Sequence, residues 1–184
     1  MPDKLFSNQS IIISLDADAF LFDKLKQISQ AGLSVVEINS CNKELLNKAL
    51  QNFPELRIGS GNIINTQQLE DCYQVGTHFV SSPGFLPSIA QTATIYSVNY
   101  LPGIATPSEA MQVMALGYHQ ARPFPASLDF CSLLNKALPT LRLFPAEIEL
   151  EKIEEYLRLP AVAGVTIYNP TQAQLQALSS GVFA

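Results

Sequence analysis

The 184-residue sequence predicts an α/β chain folded as a compact (β/α)8 TIM barrel, with an open doubly wound sheet as the competing architecture. Three observations carry the prediction. Short β-branched runs alternate with longer stretches whose apolar residues recur every three or four positions, as strands and amphipathic helices require. The alternation repeats eight times, at about 23 residues per unit. Glycines at 32, 76, 117 and 164, spaced 44, 41 and 47 residues apart, each close a helical stretch just before a strand. Left-handed backbone is wanted there.

The first strand is read in IIISL (11–15), followed by the amphipathic AFLFDKLKQISQ (19–30) and Gly32. LSVVEI (33–38) supplies the second strand, and the helix KELLNKALQN (43–52) is stopped by Pro54. RIGSG (57–61) is the third strand; HFVS (78–81), after Gly76, is the fourth. IYSVNYL (95–101) is the fifth, and TPSE (106–109) then opens a helix with Thr106 as N-cap, Pro107 in the first turn and Glu109 reaching back. YHQAR (118–122) is the sixth strand, its helix ending before Pro139. TLRLF (140–144) is the seventh, followed by the helical IELEKIEEYLR (148–158). GVTIY (164–168) is the eighth, and NPTQ (169–172) repeats the capping device with Asn169, Pro170 and Gln172. Strands alternating with helices imply a parallel sheet. No linker or low-complexity tract interrupts the pattern, so residues 1–184 are expected to form one domain.

Composition narrows the function classes. Apolar residues make up 47% and charged residues 15%, which argues against disorder. A net charge of −5 and a pI near 4.9, with no basic cluster, argue against nucleic acid and anionic membranes as partners. The apolar run near the N-terminus covers only Ile11 to Leu15, short for a signal-peptide core or a membrane span. Cys41, Cys72 and Cys131 are odd in number and lack C-x-x-C spacing, which fits reduced thiols in the cytoplasm. His78 and His119, the two histidines, are poor material for a metal cluster and read as packing or surface residues. Met111 and Met114, at helical spacing, read as core.

In such a barrel the chemistry gathers at the C-terminal ends of the strands. Those ends hold Glu37, GSGN (59–62), SSPG (81–84), LPGIATPSE (101–109), ARPFPAS (121–127) and LFPAE (143–147). Taken alone, Glu37 reads as a solvated strand end, Asn62 as a turn residue and Thr106 as a cap. The segments AGLSVVEINSCN (31–42), IGSGNIINTQQL (58–69), FVSSPG (79–84), YLPGIATPSEAM (100–111) and ARPFPAS (121–127) change that reading. In order and spacing they resemble the 2-keto-3-deoxy-6-phosphogluconate and 4-hydroxy-2-oxoglutarate aldolases over nearly the whole chain.

The resemblance implies a class I aldolase type of barrel, usually trimeric and needing neither metal nor cofactor. In such enzymes a lysine forms an imine with the substrate ketone. Cleavage of a carbon–carbon bond then releases pyruvate and an aldehyde. By the same resemblance Glu37 is the proton-transfer residue, and Ser82, Pro83, Gly84, Pro102 and Gly103 belong to the substrate site. Other positions depart from the family. The arginine that holds the pyruvate carboxylate aligns with Cys41, the nearby threonine with Asn62 and the imine-forming lysine with Arg122. The glycines of the phosphate-binding turns align with Glu147, Ile148 and part of VTIYNP (165–170).

A guanidinium stays protonated and its lone pairs are delocalised, so Arg122 does not replace an amine nucleophile. Two roles remain open for it: an ion pair with Glu37 across the barrel mouth, or a clamp for an organic anion. Lys43, at the start of the second helix, is the one other lysine expected near the mouth; its plain reading is a solvated helix-start residue. Standard aldolase activity is therefore expected to be lost or altered. The alternative is a catalytically silent barrel that binds an anion or serves in assembly. The expected partners are a small oxo-acid or other small anion and, by resemblance, further copies of the chain in a trimer.

Overall fold

The computed structural model describes residues 10–179. The parts of the expected 1–184 domain before residue 10 and after residue 179 lie outside the described residues. Nine short parallel strands and eight α-helices alternate along them. The strands are β1 (Ile11–Asp16), β2 (Val35–Asn39), β3 (Arg57–Ser60), β4 (Val80–Ser81), β5 (Tyr100–Leu101), β6 (Gly103–Ile104), β7 (Gln120–Pro123), β8 (Arg142–Leu143) and β9 (Val165–Tyr168). Six of them run in the order β5-β4-β3-β2-β1-β9, and three in the order β6-β7-β8.

The two sheets are one curled barrel. Pro102 has no N–H to give the ladder, so it splits the fifth stave into β5 and β6. The Pro102 carbonyl still accepts from Arg122 N–H at 2.8 Å. At the other seam Leu143 N–H bonds the Ala161 carbonyl at 2.8 Å, and Thr166 N–H the Pro145 carbonyl at 2.9 Å. Counting β5 and β6 as one stave gives the eight expected.

The helices are α1 (Leu21–Gln30), α2 (Lys43–Asn52), α3 (Thr66–Val75), α4 (Pro87–Ile95), α5 (Pro107–Ala115), α6 (Leu128–Ala137), α7 (Ile153–Leu157) and α8 (Gln172–Ser179). Each buries an apolar stripe, such as Leu21, Leu25 and Ile28 of α1, against the outer strand faces. Helix α5 carries the expected capping box, with Glu109 N–H bonded to Thr106 Oγ1 at 3.2 Å and Thr106 N–H to Glu109 Oε2 at 3.0 Å.

Five expectations shift. Of the strand read at 95–101 only Tyr100–Leu101 is β, because helix α4 runs on to Ile95 and is capped at Tyr96. The second box is built by Thr171 and Gln174, since Asn169 has turned to φ 44° and leaves the cap. Gly32, Gly76 and Gly117 have positive φ, but Gly164 does not. The stretch 148–158 starts as a 3-10 turn (Leu150–Lys152) and is α-helical only from Ile153. Met111 is 61% exposed and not core, while Met114 packs against it.

Candidate functional site

Strand side chains alternate between the barrel interior and the helical layer, so a two-residue rhythm decides what fills the barrel. Ile12, Val35, Phe79, Leu101 and Phe144 form a compact apolar cluster. One pleat further along, the strands supply Ser14, Glu37, Ser81, Arg122 and Thr166, all buried. In register, Ser14 lies beside Glu37, and Glu37 beside Gly59.

Arg122, 6% exposed, reaches Glu37, 1% exposed, across the barrel. Its Nη1 donates to Glu37 Oε1 at 2.9 Å and its Nη2 to Oε2 at 2.7 Å, a bidentate fork. Nη1 also donates to Ser81 Oγ at 2.9 Å, and Nη2 makes a longer contact of 3.5 Å with Thr166 Oγ1. Ser81 Oγ donates to Glu37 Oε2 at 2.7 Å, and Ser14 Oγ to Oε1 at 3.4 Å. Of the two roles left open for Arg122, the ion pair is the one the geometry holds. Its Nε is buried with no hydrogen-bond partner. Gly61 gives this network room: a Cβ there would lie 2.4 Å from Asn39 Oδ1 and 2.8 Å from Glu37 Oε1.

Above the pair opens a pocket of about 240 Å³, whose lining includes Asp16, Asn39, Asn62, Pro83, Glu147 and Tyr168. The Tyr168 hydroxyl donates to Asp16 Oδ2 at 2.5 Å. Asn39 Nδ2 donates to Ser14 Oγ at 3.1 Å and Asp16 Oδ1 at 3.4 Å. The Asp16 carboxylate, with some burial and the nearby charges of Glu147 and Asp18, holds the Tyr168 hydroxyl above the usual tyrosine range. Asn62 and Glu147 stand in left-handed backbone, at φ 59° and 58°.

Other expected site residues lie outside the pocket lining. Ser82 is buried and accepts from the Tyr100 hydroxyl at 2.9 Å, a packing role. Gly103 lets the chain pass close to the backbone of Pro83 and Gly84, where a Cβ would lie 2.4 Å from the Pro83 carbonyl carbon. Pro102 is the break in the fifth stave, and Gly84 is exposed at its loop. Cys41 is half-buried and packs against the outer core. Lys43 turns to the helical layer, 2.7 Å from Asp71 on α3 and 2.8 Å from Gln74 Oε1. Lys24 of α1 is held by Asn169 Oδ1 at 2.6 Å and Asp18 at 3.5 Å. Among the described residues no lysine lines the pocket. Among the described residues no group of three His, Cys, Asp or Glu side chains is placed to hold a metal, and no helix is long and apolar enough to cross a membrane.

The family description "Aldolase: KDPG and KHG aldolase" matches residues 9–175. The chain belongs to the KDPG and KHG aldolase family. Within that family it is 26% identical over 159 residues to the 2-dehydro-3-deoxy-phosphogluconate aldolase of Pseudomonas aeruginosa, a match covering 82% of this chain and 72% of that one. Across the curated relatives the match takes in between about half and 72% of their length. Among solved KDPG aldolase structures, that of Zymomonas mobilis ZM4 with 3-phosphoglycerate superposes with a TM-score of 0.87 at 22% identity, covering 99% of this chain and 95% of that one. That of Legionella pneumophila, with pyruvate captured as a covalent carbinolamine, gives 0.83 at 23%, covering 96% and 93%. The expected barrel is thus the fold of this KDPG and KHG aldolase family member.

Sequence reasoning named Glu37, Asn62, Pro83, Arg122 and Glu147 around the pocket but missed Ser14, Asp16, Asn39, Ser81, Thr166 and Tyr168. A signal was present. In IIISLD, VVEIN and VTIY a polar side chain recurs at every second position toward the C-terminal end of an otherwise apolar strand.

Proposed function

We propose that this member of the KDPG and KHG aldolase family is a single barrel without imine chemistry, kept as a binding module around its mouth pocket. The observation that carries the reading is the bidentate pair of Arg122 with Glu37. By resemblance, position 122 is that of the imine-forming lysine, and its guanidinium offers no nucleophilic lone pair. Glu37, by resemblance the proton-transfer residue, accepts from both terminal guanidinium nitrogens and from two serines, so it is held as a charged structural partner.

The surroundings support the same reading. The lysine amines nearest the barrel ends in sequence, Lys24 and Lys43, are engaged elsewhere. Cys41 offers no fork for a pyruvate carboxylate. Glu147 on the rim repels a phosphate, so phosphorylated sugar acids should bind worse than unphosphorylated ones. Assembly as a trimer follows from the family resemblance; exposed Ile64, Leu86, Ile95 and Met111 offer apolar surface for it.

The test is incubation with pyruvate and borohydride, followed by intact mass and peptide mapping. No covalent increase is expected, and no pyruvate should be released from either 2-keto-3-deoxy-6-phosphogluconate or 4-hydroxy-2-oxoglutarate. A stoichiometric adduct on any lysine overturns the reading.

A further inference from the structure

Charge is unevenly spread along the chain. Residues 72–121 hold a single Asp, Glu, Lys or Arg side chain, Glu109, in a sequence that is 15% charged. Its carboxylate is engaged at the start of its own helix, accepting from the Ala105 and Thr106 N–H groups at 2.7 and 3.0 Å. The same stretch contributes six of the ten large apolar side chains that stand exposed among the described residues: Tyr73, Leu86, Ile95, Tyr96, Met111 and Leu116. Helix α8 is the useful contrast. It too is uncharged, but its outward residues include Gln172, Gln174 and Gln176, and its leucines are buried. Neutrality and exposed apolar bulk combine over α4, α5 and the end of α3.

This sector is one firmly held surface. Tyr118, just past α5, donates its hydroxyl to the Ala90 carbonyl of α4 at 2.7 Å and so ties the two helices together. The Tyr73 and Tyr96 rings join the ends of α3 and α4, with centroids 4.8 Å apart. Between the apolar side chains stand neutral residues such as Ser88, Gln91 and Gln112. A helix without a charged face normally lies inside a structure, covered on all sides. Depletion of charge with enrichment of aromatic residues and methionine marks the centre of protein–protein interfaces.

Resting on the assembly reading above, we propose that this α4–α5 face is where a second copy of the chain docks. Charge selects the occupant. The chain carries a net −5, so two copies repel wherever their carboxylates meet. The same sector of a second copy brings no charge to the contact, and neither side leaves a buried ion unpaired. A basic partner is drawn instead to acidic surface, such as exposed Glu149, Glu151, Glu154 and Glu155. The neutral apolar face is therefore complementary to itself.

Sedimentation velocity of the full chain tests this, with circular dichroism to confirm that each variant is folded. The wild type should sediment as more than one subunit at micromolar concentration. Ile95→Glu and Met111→Glu each put an unpaired carboxylate into the apolar contact and should weaken self-association at least about tenfold. Leu133→Glu, at an exposed leucine of α6 between Asp129 and Lys136, should leave it within about twofold. Hydrogen exchange of the wild type needs no variant. It should slow in α4 and α5 as concentration rises and stay constant in α1 and α2. An assembly that survives Ile95→Glu with Met111→Glu, or that dissociates with Leu133→Glu instead, overturns the face and leaves the assembly reading standing. A wild type that stays a single subunit at every concentration overturns both.

Discussion

Inside the barrel, Phe79, Leu101, Phe144, Ile12 and Val35 close one level with apolar side chains, while the next level, toward the mouth, is closed by Arg122, Glu37, Ser81, Ser14 and Thr166. The two levels occupy the same cylinder, and three pairs of their members stand two residues apart along one stretch of chain: Ile12 and Ser14, Val35 and Glu37, and Phe79 and Ser81. The apolar level is held by area removed from water, about 25 cal/mol per Å². The polar level is held by mutual satisfaction: each charge is tolerable only because the other is there. The lesson is that the apolar level should fail gradually and the polar level all at once, and that only the polar level should respond to ligands.

The largest effects come from breaking either level. Phe79→Ala should cost about 3–5 kcal/mol by leaving a cavity. Glu37→Leu or Arg122→Met alone should cost a similar ~3–5 kcal/mol, because each strands a buried charge. The levels part company in the double variant. Glu37→Leu with Arg122→Met should lose much less than the sum of the singles, whereas Phe79→Ala combined with Leu101→Ala should not recover. Urea unfolding of the set decides it, and additive losses at the ion pair would mean that the two residues act independently.

A second pair of substitutions sharpens the contrast at smaller scale. Gly59 faces the Phe79 ring, and a Cβ there would sit 2.4 Å from its edge. Gly61 faces Asn39 and Glu37 in the same way. Gly59→Ala and Gly61→Ala should each cost about 1–3 kcal/mol by overpacking. Phe79→Leu should relieve the first and leave the second untouched. Conversely, only Gly61→Ala should alter the NMR shifts caused by pocket ligands.

Much of this was legible in the sequence. The eight-unit rhythm gives the barrel because helix and strand periodicities are local properties of the chain. The Thr106 capping box was readable for the same reason: its two hydrogen bonds span only three residues. Glu37 and Arg122 were legible as a possible pair only after the barrel was assumed, since 85 positions separate them. Asp16 and Tyr168 were not legible as partners, because they meet only when β9 closes against β1. Met111 was misread because three- and four-residue spacing defines a stripe without saying which stripe faces the barrel. The second capping box slipped by two residues because Asn169 and Thr171 are both good caps, and the turn at Asn169 decided between them.

The smallest expected effect concerns protons rather than packing, and it separates the helical layer from both interior levels. Burial pushes the Cys72 thiol up to about 11 and the Cys131 thiol up to about 12, and the Tyr100 hydroxyl likewise to about 12. In the unfolded chain the thiols ionise near 9 and the tyrosine near 10, so the unfolded state releases protons first. Stability should therefore be level below about pH 8 and fall as pH rises from about 9 toward 11 or 12. Between pH 8 and 9 only a fraction of a proton per thiol is involved, so the loss should stay under about 1 kcal/mol, below that of either glycine variant. Cys131→Ala should flatten the slope in that window even if it lowers stability throughout, while Glu37→Leu with Arg122→Met should leave the slope unchanged. A slope that instead follows the ion pair would place the alkaline sensitivity in the mouth rather than in the helices.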